Sequence, residues 1–176
     1  KKDIDSIIRL SQSPGSTRYL RLKKGLMVYK VYEQLIFTNR QRKKVAFCHQ
    51  LTVPGQVYLE ETGELVRCAV LPREQYSADS RDTLLDWDKV KGTLFLRSRL
   101  PGDRFAASPA SSPTKLKEYF INKKIPWEER ERTPLLVSAL GRIYALVGLA
   151  VDHDVRVTSQ TEYILVIKRE RLNHID

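Results

Sequence analysis

The amino-acid sequence predicts an α+β fold, largely antiparallel β-sheets layered with two or three short helices. Three observations carry that prediction. Short β-branched and aromatic runs flank turn residues such as Gly63 and Gly141, and the helical stripes are brief and end at prolines. The composition, 41% hydrophobic and 30% charged over 176 residues, supplies a packed core and excludes intrinsic disorder. The longest nearly apolar run, Ile143 to Val151, falls well short of the ~20 residues that cross a bilayer, so no membrane partner is expected.

Taken in order, Ile4, Ile7 and Ile8 give residues 3–10 a helical stripe that Ser13-Pro14-Gly15-Ser16 breaks. Residues 18–22, 26–32 and 34–38 read as strands, the first two joined by a basic turn at Lys23-Lys24-Gly25. A second hairpin pairs 56–60 with 64–71 across Glu61-Thr62-Gly63, with Val66, Cys68 and Val70 on one face and Cys68 as a small core residue. Residues 72–92 are polar around the apolar island Leu84-Leu85 and read as a connection. Residues 93–99 form a strand with Phe95, Arg97 and Arg99 on one side and Leu94 and Leu96 on the other. Pro101-Gly102 turns the chain, and 106–113 is a loop of Ala, Ser and Pro.

Ser112 caps the next helix, Pro113 opens it, and Leu116, Tyr119 and Phe120 form its apolar stripe up to Ile125-Pro126. Pro126 opens another, with Glu128 and Glu129 in its first turn and Pro134 as terminator. Residues 135–137, 143–147 and 163–167 are apolar strands, joined by a turn at Gly141 and by the polar segment 152–161. The expected organisation is a helical tail at 1–13, a β-rich basic lobe and linker at 14–92, and a third region at 93–176.

Charge is patterned along the chain. The total is +10, and such a field attracts polyanions. Residues 18–44 carry nine basic side chains against Glu33, and 89–124 carry nine against Asp103 and Glu118. Between them lies an acidic stretch with Glu60, Glu61, Glu64, Asp79, Asp82, Asp86 and Asp88, expected as a solvated hairpin tip and linker. Cys48 and Cys68 form no C-x-x-C pattern, which suits a reducing, cytoplasmic compartment. The chain starts at Lys1 without Met or an apolar leader, and reads as a piece of something longer.

No active site emerges from the motifs. His49, His153 and His174 lack metal-ligand spacing, so no metal is expected, and Asp152-His153-Asp154 reads as a surface turn. The eight glycines stand singly, which excludes a G-x-x-x-x-G-K or G-x-G-x-x-G phosphate cradle. What remains is a binding constellation. Arg97, Arg99 and Arg104 surround a Pro-Gly turn, and Lys115, Lys117, Lys123, Lys124 and Arg130 follow on the short helices. Guanidinium forks take two phosphate oxygens, lysines add mobile point charges, and a helix N-terminus near Ser112 would add backbone donors. Tyr119, Phe120 and Trp127 could stack on bases or pack in the core. The competing readings are a solvated face paired to Asp103 or Glu118 and, at the level of function, a basic protein-interaction or scaffold module.

The run Leu96-Arg97-Ser98-Arg99-Leu100-Pro101-Gly102-Asp103-Arg104-Phe105, then Lys115-Leu116-Lys117-Glu118-Tyr119-Phe120-Ile121, Lys123-Lys124-Ile125-Pro126 and Pro134-Leu135-Leu136-Val137, resembles the C-terminal region of bacterial tRNA(Ile)-lysidine synthetases. The resemblance is specific over about residues 94–168 and general over 18–92. It implies a fold similar to a domain of the phenylalanyl-tRNA synthetase β subunit. It also implies a parent ligase that uses ATP, Mg and lysine to modify the wobble cytidine of the isoleucine tRNA with a CAU anticodon. In the family that chemistry belongs to an N-terminal domain with an S-G-G-x-D-S loop, a motif missing from this sequence. The implied role is therefore tRNA recognition, including the acceptor stem. No catalytic residue and no cofactor is expected in this chain, and a homodimer stays open. The expected RNA-binding residues are Arg97, Arg99, Arg104, Lys115, Lys117, Lys123, Lys124 and Arg130. One departure stands out: Pro109 and Ser112 occupy positions that are glycine in the family, and Pro cannot serve a position needing positive φ.

Overall fold

The fold is described from a computed structural model, which describes residues 2–14, 17–23, 26–31, 33–38, 44–77, 81–109 and 112–171. Lys1, Gly15, Ser16, Lys24, Gly25, Asp79 and His174, named in the sequence readings above, lie outside the described residues, as do Tyr32, Ala110 and Ser111 within the ranges given there. The chain divides into two compact units, residues 1–44 with 117–131 and residues 45–116 with 132–176.

The first unit begins with helix α1 (Lys2–Gln12), which carries Asp3 and Asp5 in its first turn and Arg9 in its last, the order its dipole favours. Strands β1 (Thr17–Arg21), β2 (Met27–Val31) and β3 (Gln34–Thr38) follow as an antiparallel meander in sequence order. Tyr19 pairs with Tyr29 and Tyr29 with Ile36, so one face of the meander gathers Met27, Tyr29 and Ile36 into a small core.

The second unit is built on two antiparallel sheets. One has the order β13-β12-β11-β8-β4, from Ala150–Val151, Ile143–Leu146, Leu135–Ser138, Leu94–Arg97 and Cys48–Leu51. The other runs β5-β6-β14-β7, from Gly55–Leu59, Glu64–Pro72, Tyr163–Arg171 and Thr83–Asp86. Their period-two apolar faces meet in one core that includes Leu51, Leu94, Leu96, Leu136 and Ala145 from the first sheet. Leu59, Val66, Cys68, Leu85, Leu165 and Ile167 come from the second, so Cys68 is the small core residue expected of it.

Several elements depart from expectation. The island at Leu84-Leu85 is a paired strand, β7, because β14 offers it a partner edge and Leu85 fills the core. The four-stranded sheet thus draws strands from both sides of residue 92. Strand β4 carried too little apolar pattern to be read beforehand. Three acids of the stretch expected in solvent are buried. Glu64, 2% exposed, receives Arg169 at 3.0 and 3.1 Å, with Arg171 at 3.5 Å and Arg132 at 3.8 Å. Asp82 takes Tyr76 Oη at 2.9 Å and Lys168 at 3.5 Å. Asp86 accepts from Thr161 Oγ1 at 2.8 Å, from the Asp88 N–H at 3.2 Å and from Lys89 at 3.2 Å. Burial pushes the Asp86 carboxyl upward, but these donors outweigh it and hold its pKa below the usual carboxylate value.

Candidate nucleic-acid interface

The Pro-Gly bend after β8 is a type II turn, closed by the Asp103 N–H to Leu100 O at 3.3 Å, with Gly102 at φ 87° where a side chain would be strained. Asp103 organises everything around it. Its carboxylate takes the Arg97 fork at 2.8 Å on each oxygen and the Leu100 N–H at 2.7 Å, while its carbonyl accepts the Leu116 N–H at 2.8 Å. The Arg97 side chain is only 11% exposed and also donates to Ser98 O. The expectation that Arg97 grips phosphate is therefore corrected: its charge is matched by a carboxylate, and it braces the turn. Arg99 is half-buried and already engaged within the protein.

Beyond the turn, Arg104–Phe105 (β9) pairs antiparallel with Thr114–Lys115 (β10), and this corrects the helix start expected at Ser112-Pro113. Hydrogen bonding to β9 holds Thr114 and Lys115 extended, so the helix begins only at Leu116 and Ser112 is no cap for it. The register sets Arg104 directly opposite Lys115, both exposed, while Phe105 turns into the interior. Like charges facing each other across a ribbon repel. Arg104 donates to Pro113 O at 2.8 Å, and among the described residues neither cation meets a carboxylate. Pro109 and Ser112 of the intervening loop are exposed. Arg156, which no sequence signal marked, donates to Ala107 O in that loop at 2.5 Å.

In the other unit, helix α2 (Leu116–Asn122) ends in a Schellman motif. The Ile125 N–H reaches Phe120 O and the Lys124 N–H reaches Ile121 O, both at 2.9 Å, with Lys124 in the left-handed region at φ 54°. Lys117, Lys123 and Lys124 are exposed, as a phosphate-binding role requires. Arg130, on helix α3 (Trp127–Arg132), is 7% exposed and donates Nε to Ile125 O at 2.6 Å. The fork that was expected on RNA instead clamps the turn between the two helices. Phe120 is fully buried, which assigns it to the core, and Tyr119 lies edge-on to it with ring centroids 6.3 Å apart. Tyr119 and Trp127 are half-buried and engaged within the protein.

Nothing among the described residues gathers three or more metal-ligating side chains. The Asp152-His153-Asp154 segment is a 3-10 turn whose Asp152 carboxylate, 6% exposed, accepts the Asp154 N–H at 3.0 Å and Arg142 at 3.4 Å. Those bonds make Asp152 a capping group. No helix of the described residues is long and apolar enough to cross a membrane.

Residues 94–167 match the family model described as the TilS substrate C-terminal domain. Over 169 residues the chain is 31% identical to the tRNA(Ile)-lysidine synthase of Caldanaerobacter subterraneus subsp. tengcongensis, with 94% of this chain and 36% of that protein covered. It is 25% identical to the tRNA(Ile)-lysidine synthase of Clostridioides difficile, covering 98% of this chain and 38% of that one. A solved structure titled as the crystal structure of the TILS C-terminal domain superposes with a TM-score of 0.59 at 28% identity, over 73% of this chain and 98% of that chain. The chain thus spans little more than a third of the length of these curated relatives.

Proposed function

Since the chain is homologous to the C-terminal part of tRNA(Ile)-lysidine synthases, with residues 94–167 a domain of that family, we propose that it is the tRNA-gripping part of such a ligase. Its partner is the isoleucine tRNA with a CAU anticodon, held at the acceptor stem through phosphates in the cytoplasm. ATP, Mg2+ and lysine are handled by a catalytic domain outside these residues. The phosphate contacts are Arg99, Arg104 and Lys115 in one unit and Lys117, Lys123 and Lys124 in the other, with Arg97 bracing the Pro-Gly turn and Arg130 the turn between the two helices.

The observation that carries this reading is the pair of exposed cations Arg104 and Lys115, set opposite each other on a two-stranded ribbon and meeting no carboxylate among the described residues. A fold tolerates such repulsion most readily where a polyanion relieves it. The test is a titration of the 176-residue chain with the isoleucine tRNA across a salt series. If about five of these six cations each neutralise a phosphate, the slope of log K against log salt is near −4, and Arg104→Ala flattens it by about one. At one fixed salt the chain favours this tRNA over another tRNA. A titration indifferent to salt would overturn the reading.

A further inference from the structure

We propose that Arg156 is a further phosphodiester contact, placed with Arg104 at the stem of the loop 106–113. The inference rests on the tRNA reading above and adds to it a residue that neither the sequence pattern nor the family motif singles out.

Two guanidinium groups hold that stem. Arg104 donates Nη1 to Pro113 O at 2.8 Å, and Arg156 donates Nη2 to Ala107 O at 2.5 Å and Nε to Val151 O at 3.4 Å. The His153 N–H adds a bond to Ala106 O at 2.9 Å. Phe105 pairs with Thr114, so the anchored carbonyls lie one and two residues beyond a paired position, on the two arms of one stem.

The partners of these arginines decide what the groups can do. Arg67, Arg97, Arg142 and Arg169 each face a carboxylate at 3.0 Å or less, and their charge is locally cancelled. Arg104 and Arg156 face carbonyl oxygens alone among the described residues. A carbonyl fixes the direction of a guanidinium without neutralising it, and leaves further N–H groups of the fork to donate elsewhere. The acids nearest in sequence, Asp103 to Arg104 and Asp154 to Arg156, give their carboxylates to Arg97 at 2.8 Å and to Arg142 at 3.0 Å. The loop, Ala106 to Pro113, contains no acid, and both arginines are exposed. Lys115, opposite Arg104, adds a third positive head. Oriented, exposed, unmatched forks beside an acid-free loop suit the repeated, singly charged oxygens of a nucleic-acid backbone.

The experiment titrates the isoleucine tRNA transcript into the chain and into its Arg156→Gln, Arg156→Lys and Arg104→Ala variants over a series of NaCl concentrations, with near-UV circular dichroism as a check on fold. Gln keeps an N–H for Ala107 O and drops the charge, whereas Lys keeps the charge and drops the fork. The expected result is that Arg156→Gln flattens the salt slope by about 0.7–0.9, as one lost phosphate contact should. Arg156→Lys retains the wild-type slope. If Arg104→Ala flattens the slope and Arg156→Gln leaves it at the wild-type value, Arg156 only anchors the loop and this proposal fails while the tRNA reading stands. If the wild-type chain binds the tRNA without salt dependence, both fail.

Discussion

Lys124 sets stability against binding, and substituting it separates the two. It occupies the C′ position of a Schellman motif at φ 54°, where glycine is the usual residue. The left-handed region costs an ordinary L-residue about 1–2 kcal/mol, and part of that relief is returned when glycine's larger unfolded-state freedom is counted. Lys124→Gly and Lys124→Ala remove the same ammonium group, so any difference between them isolates the backbone term. Glycine should exceed alanine by about 1 kcal/mol, or roughly 2–4 °C in Tm for a chain of this size. Thermal melts and urea titrations read that difference. In tRNA titrations the two variants should behave alike, each flattening the salt slope by about 0.7–0.9. Equal stability of the Gly and Ala variants would refute the left-handed cap. A wild-type slope in both would remove Lys124 from the interface.

Two further outcomes follow from the buried acids. Glu64→Gln leaves Arg169, Arg171 and Arg132 around a neutral amide, and should cost about 3 kcal/mol in urea unfolding; a loss below about 1 kcal/mol would mean that solvent already screens the cluster. Thr161→Val removes the hydroxyl donor to Asp86, whose folded pKa lies below its unfolded value. That depression contributes stability present above the ordinary carboxylate range and lost as pH falls through the folded pKa. The variant's deficit should therefore be full at pH 7 and shrink toward acid, and a deficit independent of pH would show that Asp86 is not the group involved.

The regular elements were legible in the sequence because their signals are local. The meander at 17–38, the hairpin around Gly63 and the strands at Leu135 and Ile143 announce themselves by period-two patterns and turn residues, and helix α1 by its isoleucine spacing. Strand β7 was not legible as a strand, because Leu84-Leu85 sits among acids whose burial depends on donors distant in sequence, such as Thr161 and Lys168. The start of α2 failed for a related reason. Ser112-Pro113 is a sound local cap, and the pairing of Thr114 and Lys115 with β9 overrides it. For the candidate site, sequence identified a cationic cluster but could not tell matched charge from unmatched. Arg97 and Arg130 look like Arg104 until Asp103 is seen to neutralise the first and burial, at 7% exposure, to withdraw the second from solvent. Arg156 was passed over because its significance comes from a carbonyl in a loop far from it along the chain.

The pairing of β6 with β14 has a consequence for biosynthesis. Arg67 and Glu170 touch across those two strands although 103 positions separate them. A ribosome adding ~5–20 residues per second needs roughly 5–20 s between them. Throughout that interval the nascent Leu65–Leu71 segment has β5 on one flank and an open, apolar edge on the other, the kind of edge that recruits foreign strands. Synthesis stalled before Tyr163 would strand both β6 and β7 without the partner that lies between them, so quality control of truncated chains should act on this sheet before any other part of the molecule.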